Sequence, residues 1–182
     1  VVDVYDFFEE NETAYMVMEF MDGMTYKQFI RSQGGKVKPD LACRVTLAVL
    51  DALSEVHRER IVHRDINPNN IFICQDGKVK LYDFGAARLE TTDMTTILTP
   101  CYAPPEQYIT NGKQGSYTDL YSVGATMYFA LTGVKPQEST DRVQKDQLTP
   151  PHEIDAEIPV DMSNAVMRAM AVKEEIRFQN AE

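Results

Sequence analysis

Apolar and polar positions change period along this 182-residue chain. Val1 to Phe8 and Thr13 to Phe20 are rich in β-branched and aromatic residues, and the polar run Glu9-Glu10-Asn11-Glu12 separates them. That pattern predicts an antiparallel pair of strands joined by a turn. Asp22-Gly23 breaks the second strand, Thr25 to Arg31 can form a short helix, and Gly34-Gly35 ends it. Pro39 then opens a long helix to about His57 or Arg58. Its apolar stripe is Leu41, Val45, Ala48, Ala52 and Val56, widened by Leu50 and Leu53. Ile71 to Cys74 and Lys78 to Tyr82 flank Gln75-Asp76-Gly77, a strong hairpin signal. Ala86 to Thr99 is Thr-rich without periodicity and is expected to be a mobile loop. Tyr117 to Leu131 is apolar nearly all round, which predicts a buried helix with Gly133 as its C-cap. Lys135 to Ile158 is polar and punctuated by Pro136, Pro150 and Pro151, so loops and a short helix are expected. Met162 to Met170 forms a final amphipathic helix with Met162, Val166, Ala169 and Met170 on one face. Strands followed mostly by helices make an α+β pattern.

Composition changes this picture little. Apolar residues make up 43% and charged residues 25% of a length sufficient for one domain with its own core. The net charge of −10 argues against non-specific binding to nucleic acid or to an anionic membrane surface. It leaves a nucleotide ligand open, because a local site can be positive within an acidic whole. Cys43, Cys74 and Cys101 lie far apart with no C-x-x-C pair, as in a reduced, cytoplasmic protein without a disulfide framework or zinc site. The N-terminus shows no secretory signal pattern, and no run is long and apolar enough to span a bilayer.

Candidate chemistry concentrates in His63-Arg64-Asp65-Ile66-Asn67-Pro68-Asn69-Asn70. Pro68 fixes its own φ and biases Asn67 away from helix, so this is a loop. Asp65 and Asn70 are short oxygen-bearing side chains suited to a hydroxyl or a hard cation. Taken singly, such an Asp more often caps a turn. Asp83-Phe84-Gly85 follows the second hairpin strand, and Pro104-Pro105-Glu106 follows further on. In this order the three resemble the protein kinase signatures H-R-D-L-x-x-x-N, D-F-G and A-P-E.

The resemblance implies a protein-kinase-like fold of which residues 1–21 are the end of the N-terminal lobe and the hinge, and 22–182 the C-terminal lobe. It implies a serine/threonine protein kinase that takes ATP with Mg²⁺ or Mn²⁺ and a protein substrate bearing a Ser or Thr hydroxyl. Asp65 matches the residue that orients and accepts the proton of that hydroxyl, and Asn70 and Asp83 match the metal ligands. Arg64 matches an arginine that can pair with a phosphate on the activation loop. Thr91, Thr92, Thr95, Thr96 and Thr99 lie in that loop; Thr95 or Thr96 is the expected phosphosite, and polar filler is the equal alternative. Thr99, in Thr-Pro-Cys-Tyr-Ala-Pro-Pro-Glu, matches the threonine that contacts the catalytic Asp. Met18 is the expected gatekeeper, the Glu19 carbonyl and Met21 amide face the adenine edge, and Phe72 floors the adenine pocket. Without the resemblance, Met18 and Phe72 read as core residues. Asp119 matches a structural aspartate that bonds the backbone around His-Arg-Asp, with Tyr121 in place of tryptophan. Glu106 and Arg177 match a buried ion pair. Cys101 sits in the substrate ledge and reads as an inert thiol. Lys78 and Lys80, beside Asp83, read as solvated hairpin lysines.

The chain departs from the family in several places. It has no G-x-G-x-x-G-x-V loop and no V-A-I-K lysine, so it reads as a fragment. Asn67 stands where serine/threonine kinases usually carry a lysine that touches the γ-phosphate, and this implies reduced transfer. Leu98 and Pro104 replace the usual glycine and alanine. The Asn67-Pro68-Asn69-Asn70 and Pro-Pro-Glu-Gln segments are more similar to bacterial eukaryotic-like kinases. The alternative reading is a pseudokinase or binding module without transfer. A related small-molecule phosphotransferase is disfavoured by the A-P-E-like segment and the Thr-rich loop.

Overall fold

The computed structural model describes residues 1–89, 98–109 and 112–182, without the side chains of Ala86, Arg88 and Leu89. The β-branched and aromatic N-terminal residues form the hairpin β1 (Val4–Glu10) and β2 (Thr13–Met18). Asn11 and Glu12 turn it at φ 52° and 59°, the two left-handed positions that suit the right-handed twist of a two-residue hairpin. Both strands are three residues or fewer from the boundaries expected at each end. Every residue of the hairpin is exposed.

Gly23 does more than break a strand. It begins β3 (Gly23–Thr25), which pairs antiparallel with β5 (Ile71–Cys74). At φ 154° a Cβ on Gly23 would lie 2.1 Å from the Ile73 carbonyl oxygen, so only glycine lets the two backbones approach. Thr25 then caps α1 (Tyr26–Ser32) in a reciprocal capping box with Gln28. β5 continues through the Asp-Gly turn into β6 (Val79–Leu81), completing a β3-β5-β6 sheet.

Helix α2 (Pro39–Arg58) has the expected length, but its buried line is Ala42, Val45, Val49 and Leu53. The stripe is rotated by about one residue from the expected one, because Val49 buries more apolar surface than Ala48. This line packs on α3 (Ser116–Thr132), which is buried nearly all round as its composition requires and stops at Gly133 in the left-handed conformation (φ 72°). On its other side α3 meets α6 (Val160–Ala169), where a Cβ on Gly124 would stand 2.8 Å from the Ala169 methyl. Residues 135–158 contain two short helices rather than one, α4 (Ser139–Gln144) and α5 (Pro151–Ile154). Part of the segment expected to be a mobile loop is ordered: β4 (Ile61–Val62) pairs with β7 (Arg88–Leu89). The candidate phosphosites Thr91, Thr92, Thr95 and Thr96 lie outside the described residues. The result is a helical body with α3 at its centre and the small sheets at one end, where β4, β5 and β6 present the loop between them.

Candidate active site

β4 delivers the chain into the loop His63–Asn70 and β5 takes it away. Ile66 is fully buried and anchors the loop from beneath, while the Pro68 carbonyl accepts from the Lys27 amide at 2.8 Å. The backbone at Arg64 is left-handed, φ 71°. For a non-glycine residue that costs roughly 1–2 kcal/mol. It is held by Asp119 on α3, which is fully buried and accepts from the His63 amide at 2.9 Å, the Arg64 amide at 2.8 Å and His57 Nε2 at 2.8 Å. A buried carboxylate needs such donors, and two of them are the backbone groups that define the loop's turn. His63 Nδ1 accepts from the Asp65 amide at 3.3 Å, so Nε2 carries the proton toward the Tyr82 carbonyl at 3.2 Å.

Three of the expected site residues converge on Asp65. Thr99 Oγ1 donates to Oδ1 at 2.5 Å and Asn67 Nδ2 donates to the same oxygen at 2.9 Å. Asn70 Nδ2 donates to Oδ2 at 2.7 Å and to the Asp65 carbonyl at 2.9 Å. The half-buried carboxylate is therefore fixed in direction from both sides. Asn67 is buried, and its own oxygen accepts from the amide and side chain of Asn69, so it staples the loop internally. Arg64 is buried beside them and donates from Nε to Gln114 at 2.8 Å, while Gln107 donates to its carbonyl at 2.8 Å.

The Asn70 nitrogen is committed to Asp65, which leaves its oxygen as the atom to offer a cation. The Asn70 carbonyl accepts from the Tyr82 amide at 3.1 Å, and this places Asn70 beside the strand end that carries Asp83. Asp83 is exposed, with φ 64° and its carboxylate accepting from the Gly85 amide at 3.3 Å. Among the described residues no group of three or more His, Cys, Asp or Glu side chains could hold a metal. One carboxylate and one carboxamide suit Mg²⁺, which binds through one or two protein oxygens and completes its shell with waters and phosphates.

The remaining expected residues lie around the β5–β6 hairpin. Phe72 is half-buried and meets the Tyr82 ring edge-on with centroids 6.2 Å apart. The Tyr82 hydroxyl donates to the Asn69 carbonyl. Met18 ends β2 opposite Val4 and is exposed, and Met21 is half-buried. The Glu19 carboxylate takes a hydrogen bond from Lys80, which is thus not the solvated hairpin lysine expected. Lys78 pairs with Asp76 in the open. Reading by residue type also missed Gln114, Gln107 and His57. The Asp-Gly turn carried a signal for Lys80, because it sets Lys80 opposite Phe72.

The ledge after Thr99 is built on Glu138, which accepts from the Cys101 amide at 2.7 Å and from the Tyr108 hydroxyl. Burial, and secondly the Glu138 carboxylate, push the Cys101 thiol above its ordinary range. Cys101 is therefore expected to alkylate more slowly at neutral pH than a cysteine in an unstructured peptide, and Glu138→Gln to speed it. Mass-spectrometric timing of iodoacetamide labelling checks this; labelling at the peptide's rate would refute it. Below the ledge, Glu106 and Arg177 form a buried two-pronged ion pair at 2.7 and 3.0 Å.

Comparison with known proteins converges on one family. The protein kinase domain model matches residues 1–176. The serine/threonine-protein kinase PknB of Mycobacterium leprae is 33% identical over 198 aligned residues, covering all of this chain and 31% of that protein. The serine/threonine-protein kinase PrkC of Bacillus subtilis is 30% identical over 193, covering all of this chain and 30% of that protein. The solved structure titled PpkA-294 apo form superposes with a TM-score of 0.86 at 31% identity, covering 99% of this chain and 65% of that one. The chain thus spans about three tenths of the length of these curated relatives. With an oriented loop carboxylate, a carboxamide and an Asp-Phe-Gly turn beside it, and a buried Glu-Arg pair beneath the ledge, the chain belongs to the protein kinase family.

Proposed function

We propose that this chain forms the larger part of a serine/threonine protein kinase domain, which transfers the γ-phosphoryl group of ATP to a Ser or Thr hydroxyl of a protein. The observation that carries this is the Asp65 carboxylate, held by Thr99 and Asn67 on one oxygen and Asn70 on the other. Phosphoryl transfer asks a protein mainly for positioning and charge stabilisation. Asp65 orients the substrate hydroxyl and accepts its proton as the new P–O bond forms and the bond to the ADP oxygen breaks. Asn70 and Asp83 are the residues to hold Mg²⁺, which when bound neutralises charge on the phosphates. Phe72, with the Glu19 carbonyl and the Met21 amide, receives the adenine. Thr99 leads into the ledge that takes the substrate peptide. Arg64 is the residue to meet a phosphate on the loop that follows Asp83, and the Thr95 and Thr96 hydroxyls are the candidates to carry it. We place the domain in the cytoplasm, where ATP is supplied; no described helix is long and apolar enough to cross a membrane.

The test is transfer of labelled phosphate from Mg-ATP to a generic protein, run on this chain and on a form extended upstream. Phosphoserine or phosphothreonine in the substrate supports the reading, and no transfer from either form overturns it.

One observation favours the alternative of a kinase-fold binding module. Asn67 is neutral and its amide is spent on Asp65 and Asn69, so it cannot neutralise phosphate charge. Lysine at this position restores that charge, and Asn67→Lys is expected to raise kcat of the extended form by about tenfold, the effect of roughly 1.4 kcal/mol on the barrier. An unchanged kcat would show that charge at residue 67 does not limit transfer.

A further inference from the structure

Residues 19–22 carry the Glu19 carbonyl and Met21 amide assigned above to the adenine, yet this segment has little packing of its own. Phe20 is 91% exposed. Its anchors are Asp3, whose carbonyl accepts from the Glu19 amide at 3.0 Å, and the β5–β6 hairpin. At one end the Asp22 carbonyl accepts from the Gln75 amide at 2.9 Å, and the Asp22 carboxylate from Gln75 Nε2 at 2.8 Å. At the other end the Glu19 carboxylate receives Lys80 Nζ and the Asp3 amide, the latter at 2.9 Å. Lys80 is the register partner of Phe72, and the neighbours Ile71 and Leu81 are buried in the core. Alternation along each strand therefore puts Phe72 and Lys80 together on the opposite face of the hairpin.

We propose that Lys80 is a positioning residue for the nucleotide, holding the Glu19–Met21 segment over Phe72 through its ion pair with the Glu19 carboxylate. This inference rests on the kinase reading above. The pair is shielded: the side chains of Lys80 and Glu19 are 20% and 17% exposed, against 73% and 53% for Lys78 and Asp76 two residues away. An exposed pair contributes little, whereas a shielded, charge-assisted hydrogen bond fixes geometry. The bond from Lys80 is also the main reason the Glu19 carboxyl is held below its ordinary range, and its counterpart holds the Lys80 ammonium above its own. Lys80 acts through Glu19, so its loss should be felt in nucleotide affinity.

The test is the Kd of MgADP by titration calorimetry, together with amide hydrogen exchange at residues 19–22. Lys80→Met is expected to weaken MgADP by about tenfold, the loss of one charge-assisted hydrogen bond, and to speed exchange across the segment. The exposed neighbour Lys78→Met should change neither. Lys80→Glu and Glu19→Lys should each weaken binding, and the double exchange should restore it to within about threefold, as coupled partners require. If Lys80→Met binds MgADP like the unaltered chain, or the double exchange is no better than either single change while melting normally, the inference fails and the kinase reading stands. If neither this chain nor the form extended upstream binds MgADP, both fall.

Discussion

Asp65→Asn is expected to lower kcat for phosphoryl transfer by about 10²–10⁴, the usual contribution of a positioned general base. The variant keeps the shape of the side chain, so the effect isolates the carboxylate. It does not keep the hydrogen bonding. Asp65 accepts on both oxygens, from Thr99 and Asn67 on one and from Asn70 on the other. An asparagine presents an oxygen to one side only, and its amide then faces a donor on the other. Some loosening of the loop is expected beside the loss of base chemistry. The two are separated by measuring the KM for ATP, which should move little, and the melting temperature, which should fall by only a few degrees. A residual kcat within tenfold of the unaltered enzyme would remove Asp65 from its proposed role.

Arg177→Met is expected to cost about 3–5 kcal/mol of folding stability, enough to leave the chain marginal. All five guanidinium protons have acceptors: both Glu106 oxygens and the carbonyls of Ala171, Val172 and Tyr117. The group also lies over the Tyr121 ring, 4.9 Å from its centre. Methionine fills much of the volume but abandons Glu106, which is buried and among the described residues keeps only the Thr118 hydroxyl at 3.0 Å. The loss is thus the burial of an unpaired carboxylate more than the loss of a favourable contact. Two controls follow. Arg177→Lys should rescue little, because one ammonium cannot span both carboxylate oxygens. Adding Glu106→Gln to Arg177→Met should recover part of the loss. Urea denaturation measures all of these, and a cost below about 1 kcal/mol for Arg177→Met would contradict the account.

Much of this molecule is legible in its sequence where one physical demand dominates. Helix α3 can be read because nothing but burial explains an apolar surface on every side, and 13 of its 17 residues are buried. The Asp-Gly hairpin is legible because turn chemistry is local. Strand β3 is not, since three residues show no alternation and its partner β5 lies more than 40 residues away. The orientation of α2 is displaced because alanines on one side of its stripe compete with Val49, and only the volume facing α3 decides between them. In the site, motif residues are legible by type, whereas their supports are not. Gln114 beside Arg64 and Glu138 beside Cys101 are ordinary polar residues until tertiary structure brings them to those partners. Lys80 is the instructive case: a lysine beside Asp83 looks solvated until the register sets it across from Phe72 and Glu19 closes over it.

Asp83 carries a cost that shapes how this chain can change. Its backbone is left-handed, a conformation glycine adopts freely and aspartate adopts at some expense, and among the described residues its exposed side chain makes a single long bond, to Gly85. Glycine at 83 would relax the backbone and sacrifice almost nothing in packing. A library of variants screened for heat tolerance alone should therefore enrich glycine here and discard the carboxylate assigned to the cation. Stability and the proposed chemistry would select opposite residues at this position, so a thermostable descendant that keeps Asp83 would have drawn its stability from elsewhere in the fold.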